Sequence, residues 1–263
     1  MSSFTEQGFI LIKNAISIEL ITTIKSEMAF ILNKKNKISN IDKFLINFFI
    51  NEKLNFYDEL FPVFNYLLYR GLLEKLLLST KLYSSFIDIL GKDLAFCCDP
   101  SLTVNIPNKS SSEENYLYKD WHQEIWSGAS HTSIQIWTPL FQKESKNGQM
   151  EIIPGSHLWG HIPHQNRRPI QLPSNLNIEK TNLEIGDVLI FSSLLLHRSI
   201  PTNYTRISLP MLIKNIRFEN NSFEKLRNFK IFSTSEITNI ERKLGNHNLS
   251  SFRLEQSKLE NPN

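Results

Sequence analysis

"HTSIQIWTPL", residues 131–140, is the stretch whose reading decides the fold: a short apolar run that stops at a proline and is too brief for a helix. Runs of the same texture lie on either side of it. They are "LAFCC" from Leu94, "SLTVNI" from Ser101, "GQMEIIP" from Gly148, "DVLIFSS" from Asp187 and "TRISLPMLI" from Thr205. Proline, glycine, asparagine and serine separate them. Short strands at this spacing predict an all-β sandwich or barrel.

Outside that core the pattern changes to helical steps. Ser17 is placed to cap a helix whose Ile21, Ile24, Met28 and Ile31 recur every three or four residues, with Glu19 in the first turn. A second helical stretch is expected from about Phe56 to Leu78, interrupted at Pro62, with Leu68, Leu72, Leu76 and Leu77 on one side. "SEITNIERKLGNH" reads as a closing helix capped by Ser235, with Ile237, Ile240 and Leu244 on one face and Gly245 as its stop. The expected organisation is a single domain over 1–263: a helix-rich segment 1–92, a β core at about 93–218 and a helical tail 219–263.

Composition narrows the function classes. A chain of 263 residues that is 41% apolar buries a sizeable core. The formal charge of +3 is spread along the chain, and the densest basic cluster, Lys34, Lys35 and Lys37, is a solvated surface, so no nucleic-acid partner is expected. Cys97 and Cys98 are adjacent, point to opposite faces of a strand and offer neither a disulfide framework nor a thiolate cluster. With no signal-like N-terminus and no apolar run of about 18 residues, the expectation is a cytoplasmic protein without a membrane partner.

Chemistry enters at "WHQEIWSG", residues 121–128. On a strand, His122 and Glu124 would project together while Gln123 points back. A histidine followed two places on by an acid is common by chance, so the pair needs support. An Fe(II) site that must hold a chelating cosubstrate and dioxygen takes three protein ligands on one face, and two imidazoles with one carboxylate supply them at low net charge. His197, after the apolar run in "LLLHRSIPTNYTR", is the candidate second histidine. Arg206 follows after proline and asparagine turn the chain onto a neighbouring strand, and its guanidinium fork suits the far carboxylate of a dicarboxylic acid. His131, His157, His161, His164 and His247 read as turn or surface residues. "PGSH", residues 154–157, reads as structural, with Pro154 and Gly155 setting a turn that Ser156 and His157 tie down.

These residues carry a resemblance. "WHQE", "NGQMEIIPGSHLWG", the segment from His197 to Arg206 and the opening "FTEQGFILIKNAIS" together resemble the phytanoyl-CoA dioxygenase family of Fe(II)/2-oxoglutarate-dependent oxygenases, over most of residues 4 to 215. The resemblance implies a double-stranded β-helix, a cupin-like jelly roll with helices packed outside. It implies that His122, Glu124 and His197 bind Fe(II), that Arg206 and Ser199 hold 2-oxoglutarate, and that Asn105 and Trp137 add cosubstrate contacts. It further implies that 2-oxoglutarate and O2 are consumed, succinate and CO2 are released, and an unactivated C–H bond of a small organic substrate is hydroxylated.

Two departures from the family stand out. Glu124 replaces the usual aspartate, and the turn between His197 and Arg206 is about two residues shorter than usual. The first keeps open an alternative, a non-catalytic jelly-roll binding protein. The retained carboxylate argues against halogenation, and the absence of a His-x-His triplet against a cosubstrate-free cupin enzyme. The polar loop 108–115 is a candidate lid.

Overall fold

All six apolar runs form strands in the computed structural model, which describes residues 2–33, 38–51, 61–97, 102–105, 120–141, 150–200, 204–218 and 229–243. In chain order the elements begin with α1 (Ser2–Gln7), β1 (Phe9–Ile12), α2 (Ile18–Leu32), α3 (Ile41–Asn51), α4 (Phe61–Tyr69), α5 (Leu72–Leu77) and α6 (Thr80–Leu90). The strands β2 (Leu94–Cys97), β3 (Thr103–Asn105), β4 (Ile134–Phe141), β5 (Met150–Ile152), β6 (His164–Gln165), β7 (Arg168–Pro169) and β8 (Glu179–Lys180) follow. The chain continues through β9 (Val188–Ser192), β10 (His197–Ser199), β11 (Arg206–Asn215), β12 (Phe229–Ile231) and α7 (Glu236–Lys243).

The larger sheet runs β1-β9-β4-β11-β2-β12, with β3 also paired to β11, and the smaller runs β10-β5-β8; every pairing is antiparallel. The chain alternates between them, with β9 in the larger sheet, β10 in the smaller and β11 back in the larger. That winding is the double-stranded β-helix the resemblance implied.

Period two sorts the larger sheet's side chains. Ile134, Ile136 and Leu140 of β4, Val188 and Ile190 of β9, and Ile207, Leu209 and Ile213 of β11 are buried against Ile21, Ile24, Leu76 and Phe86 of the helices. The opposite face presents Trp137, Leu189 and Phe191 to Met150 and Ile152 of β5. Burial of each such side chain contributes roughly 1.5–3 kcal/mol. The helices are therefore bound to the outer face, and the inner face is left for the space between the sheets.

Ser17 caps α2 as expected, accepting a hydrogen bond from the Leu20 N–H. The second helical stretch breaks elsewhere than predicted. Pro62 lies in the first turn of α4, where its missing N–H costs nothing, and the interruption falls at Gly71, whose left-handed backbone (φ 66°) separates α4 from α5. Residues 52–60 lie outside the described residues, as do the Lys34–Lys37 cluster, the loop 108–115, Cys98, His247, Leu244 and Gly245. Ser235 does cap α7, but Ile237 and Ile240 are 59% and 55% exposed, and it is Thr238 that is buried. Polar contacts, described below, set the side on which α7 docks. Among the described residues no helix is long and apolar enough to cross a membrane.

Candidate active site

His122 and His197 exchange backbone hydrogen bonds, N–H to O at 3.0 and 3.2 Å, as an isolated antiparallel bridge that adds His122 to the edge of the smaller sheet. Directly opposed residues of this kind project to the same face. Their rings stand 4.1 Å apart between centroids, and Phe191 of β9 lies 4.6 Å from the His197 ring. Each Nδ1 meets the carbonyl two residues upstream, His122 that of Asp120 at 2.7 Å and His197 that of Leu195 at 3.0 Å. A carbonyl only accepts, so each Nδ1 carries the proton, and in the neutral imidazole Nε2 offers its lone pair inward.

Both Nε2 atoms face Glu124 Oε1, at 3.4 Å from His122 and 3.3 Å from His197. Two ligands about 2.1 Å from one ion, at roughly right angles, stand about 3 Å apart. The donor set therefore fits a divalent ion bound on one face, and among the described residues this trio alone gathers three such groups within 4.8 Å. The mechanism of the projection differs from the strand expected. Glu124 opens a 3-10 turn, Glu124–Ser127, closed by Gly128 at φ 91°, a conformation glycine adopts without strain. The turn brings the longer carboxylate of glutamate back between the imidazoles.

Gln123 does point away, and its amide is fully used. Nε2 donates to Gly160 O (2.8 Å) and Leu194 O (2.6 Å), while Oε1 accepts from the Ile162 N–H (2.9 Å). The residue between two ligands thus clamps the 160–162 segment and the turn before His197. "PGSH" works on the same turn. Ser156 Oγ accepts from the Leu196 N–H at 2.9 Å, and His157 Nε2 meets Thr5 O at 3.0 Å, so the two side chains play a structural part but tie distant segments rather than their own turn. His197 does not close an apolar strand, as its context suggested; β9 ends at Ser192, and His197 opens β10 in the other sheet.

Arg206 is likewise not on a neighbouring strand of β10, because β11 belongs to the larger sheet. It is fully buried, pairs in register with Asn105, donates from Nε (3.1 Å) and Nη2 (2.7 Å) to Asn105 Oδ1, and sits 5.2 Å from the Trp137 ring. A cavity of about 160 Å³ lies between the sheets, lined by His122, Glu124, His197, Ser199 and Trp137 together with Gln135, Thr103, Ser127 and Phe191. The structure therefore brings the three candidate ligands, Ser199 and Trp137 to one cavity, with Arg206 and Asn105 packed behind Trp137 rather than lining it. Gln135 was missed. The available signal was a polar residue two places before Trp137 in an otherwise apolar strand, hence on the same face. His131 and His161 are exposed and His164 half-buried, in keeping with the turn or surface reading, and their rings also neighbour one another, with centroid spacings of 6.2 Å (His131–His161) and 5.5 Å (His161–His164). Partial burial, with His164 and His131 beside it, pushes the His161 imidazole below its usual range.

The chain matches the family described as Phytanoyl-CoA dioxygenase (PhyH) over residues 4–208. Comparison with curated proteins finds no significant match. Among solved structures, the non-heme monooxygenase ThoJ in its apo form is similar at a TM-score of 0.60 and 15% identity, covering 89% of this chain and 84% of that one. The non-heme alpha ketoglutarate dependent epimerase SnoN from nogalamycin biosynthesis gives 0.53 and 13%, over 81% and 80% of the two chains. EctD from S. alaskensis, solved with 2-oxoglutarate and 5-hydroxyectoine, gives 0.53 and 14%, over 84% and 76%.

Proposed function

The chain belongs to the phytanoyl-CoA dioxygenase (PhyH) family of Fe(II)/2-oxoglutarate-dependent oxygenases, and from that premise we propose that it hydroxylates an unactivated C–H bond of a small organic substrate. The observation that carries this reading is the convergence of His122, Glu124 and His197 on one point of the cavity between the sheets. Bound there, Fe(II) with 2-oxoglutarate supplies the activation of O2, releasing succinate and CO2.

The chain's own residues do the rest. His122 and His197 present Nε2, oriented by their Nδ1–H bonds to Asp120 and Leu195, and Glu124 supplies the carboxylate oxygen. The Ser199 hydroxyl, which makes no hydrogen bond to the described residues, faces the cavity from β10 and suits the far carboxylate of 2-oxoglutarate. Arg206 is the cationic partner of that carboxylate, and Asn105 holds its fork in plane. Trp137 lies between the guanidinium, 5.2 Å from its ring, and the cavity that holds the ligands. Phe191 and Met150 add apolar walls to the cavity between the two sheets.

We read 1–263 as one catalytic unit, supported by a core that runs from Ala15 of the N-terminal segment through Leu90 to Ile213 of β11. A cytoplasmic setting is part of the proposal and agrees with the buried free thiol of Cys97. Succinate release from 2-oxoglutarate with Fe(II), ascorbate and O2 tests the activity. Turnover lost in His122→Ala/His197→Ala supports it. Succinate formation no higher in the wild type than in that double variant overturns it in favour of a non-catalytic binding protein.

A further inference from the structure

Gln135 is a buried amide on a mostly apolar strand. It is 7% exposed, lines the cavity that holds the candidate ligands, and makes no hydrogen bond to the described residues. Both neighbours in register are apolar, Phe191 on β9 and Leu212 on β11. The amide is not sealed in the core but opens onto the cavity, where its nitrogen and oxygen are available to a molecule that enters.

Register says which ligand that is. Arg206 opens β11, and Leu212 opposite Gln135 lies six residues further along, about 20 Å at the rise of a strand. The guanidinium turns back only as far as the Trp137 ring, 5.2 Å away. Gln135 stands beyond Trp137 from Arg206, beside Phe191, whose ring touches that of His197. With Arg206 read as the cosubstrate's partner, the cosubstrate end of the cavity is at Trp137, with Arg206 and Asn105 packed behind it, and a second end lies at Gln135, Phe191 and Leu212 and also faces the ligands.

On the reading of the site as that of a 2-oxoglutarate oxygenase, the geometry points to Gln135 as a specificity-determining residue for the substrate, which carries a neutral group able to donate and accept hydrogen bonds next to the reacting carbon. An amide side chain offers one acceptor and two donors and no charge. Apart from the ligand trio, the described lining residues carry no charged side chain, and Thr103 and Ser127 add hydroxyls. A hydroxylated ring or a cyclic amide fits this lining; an unadorned alkyl chain leaves the Gln135 amide unpaired.

The test uses the full chain loaded with Mn(II) and 2-oxoglutarate, which binds without turning over. The probes are the neutral lactam δ-valerolactam and the amide-free ring cyclohexane, at equal concentration, read by Mn(II)-induced relaxation of their protons. The wild type is expected to relax the lactam and not cyclohexane. Gln135→Met, which keeps the length of the side chain, is expected to weaken lactam binding about tenfold, the worth of one or two neutral hydrogen bonds. Its dissociation constant for 2-oxoglutarate should stay unchanged. Equal or stronger relaxation of cyclohexane by the wild type overturns the proposal without need of any variant. So does undiminished lactam binding in Gln135→Met, or a loss of 2-oxoglutarate affinity, which would move Gln135 to the cosubstrate end. A wild type that binds neither Mn(II) nor 2-oxoglutarate brings down the oxygenase reading, and this inference with it.

Discussion

Asp93 and Glu124 are carboxylates set among polar groups, and their surroundings are opposite in kind. Asp93, just before β2, accepts hydrogen bonds from the hydroxyls of Ser233, Ser235 and Thr238, and Arg217 Nε lies 3.4 Å from its other oxygen. Glu124 faces the Nε2 atoms of two imidazoles whose protons are committed to backbone carbonyls. Around Asp93 the protein supplies donors, so the site is complete and structural. Around Glu124 it supplies further lone pairs, an arrangement that suits a cation. Burial does not separate a functional carboxylate from a structural one here; the polarity of its neighbours does.

The largest effect that could break this contrast is at Glu124. Glu124→Ala should reduce Fe(II) affinity and succinate formation by at least about a hundredfold, since outer partners of ligands alone are worth 10–100-fold. Fe(II) titration of the anaerobic protein reads the first and product analysis the second. Retained tight iron would make the glutamate as structural as Asp93. Next comes Arg206→Ala, which should keep iron but weaken 2-oxoglutarate by roughly two to four orders of magnitude, two charge-assisted bonds at about 1.5–3 kcal/mol each. Calorimetric titration with 2-oxoglutarate checks it, and an unchanged dissociation constant would remove Arg206 from its role.

A smaller loss is expected at Gln123. Gln123→Met removes three hydrogen bonds that fix Gly160, Leu194 and Ile162 around the ligand-bearing segments. Iron affinity should fall roughly 10-fold, the lower end for groups that orient ligands, with one ion still bound per chain. Unaltered affinity would show that the bridge between His122 and His197 holds the histidines in place by itself.

The same contrast explains what was legible in the sequence. Strands announced themselves because apolar runs broken by turn residues are a local signal, and all six appeared. The ligand trio was legible because its chemistry demands rare residue types. Sheet membership was not: the turn after Ser192 moves His197 into the smaller sheet and Arg206 is back in the larger, and no side-chain pattern encodes that switch. Nor was the 3-10 turn at Glu124, since it depends on Gly128 and on backbone partners far along the chain, such as Ser193 O for Ile125 N–H. The face of α7 was misread for a related reason. Ile237 and Ile240 suggested an apolar seam, but Thr238 and Ser235 hydrogen-bond Asp93, while Arg217 bonds Glu241 (2.7 and 2.9 Å) and Thr238 (2.9 Å). Polar docking turned the helix and left both isoleucines outside.

That docking gives the prediction with the least effect on activity. Burial alone would push the Asp93 carboxyl up, but the hydroxyls of Ser233, Ser235 and Thr238 and the Arg217 guanidinium outweigh it and hold the group down at about 2. From the ordinary value of 3.8, this shift is worth about 2 kcal/mol of folding stability. The sign follows from the lowered value: the contribution is fully present above about pH 4–5 and disappears as pH falls from there toward 2, where the folded state also takes up the proton. Asp93→Asn keeps an oxygen for the hydroxyls but loses the charge. It should therefore unfold in denaturant about 2 kcal/mol more easily at pH 7, with the gap to wild type closing between pH 4 and pH 2 and succinate formation at pH 7 unchanged. A gap independent of pH would show that Asp93 holds α7 by shape rather than by charge, and the polarity argument that separates it from Glu124 would lose one of its two sides.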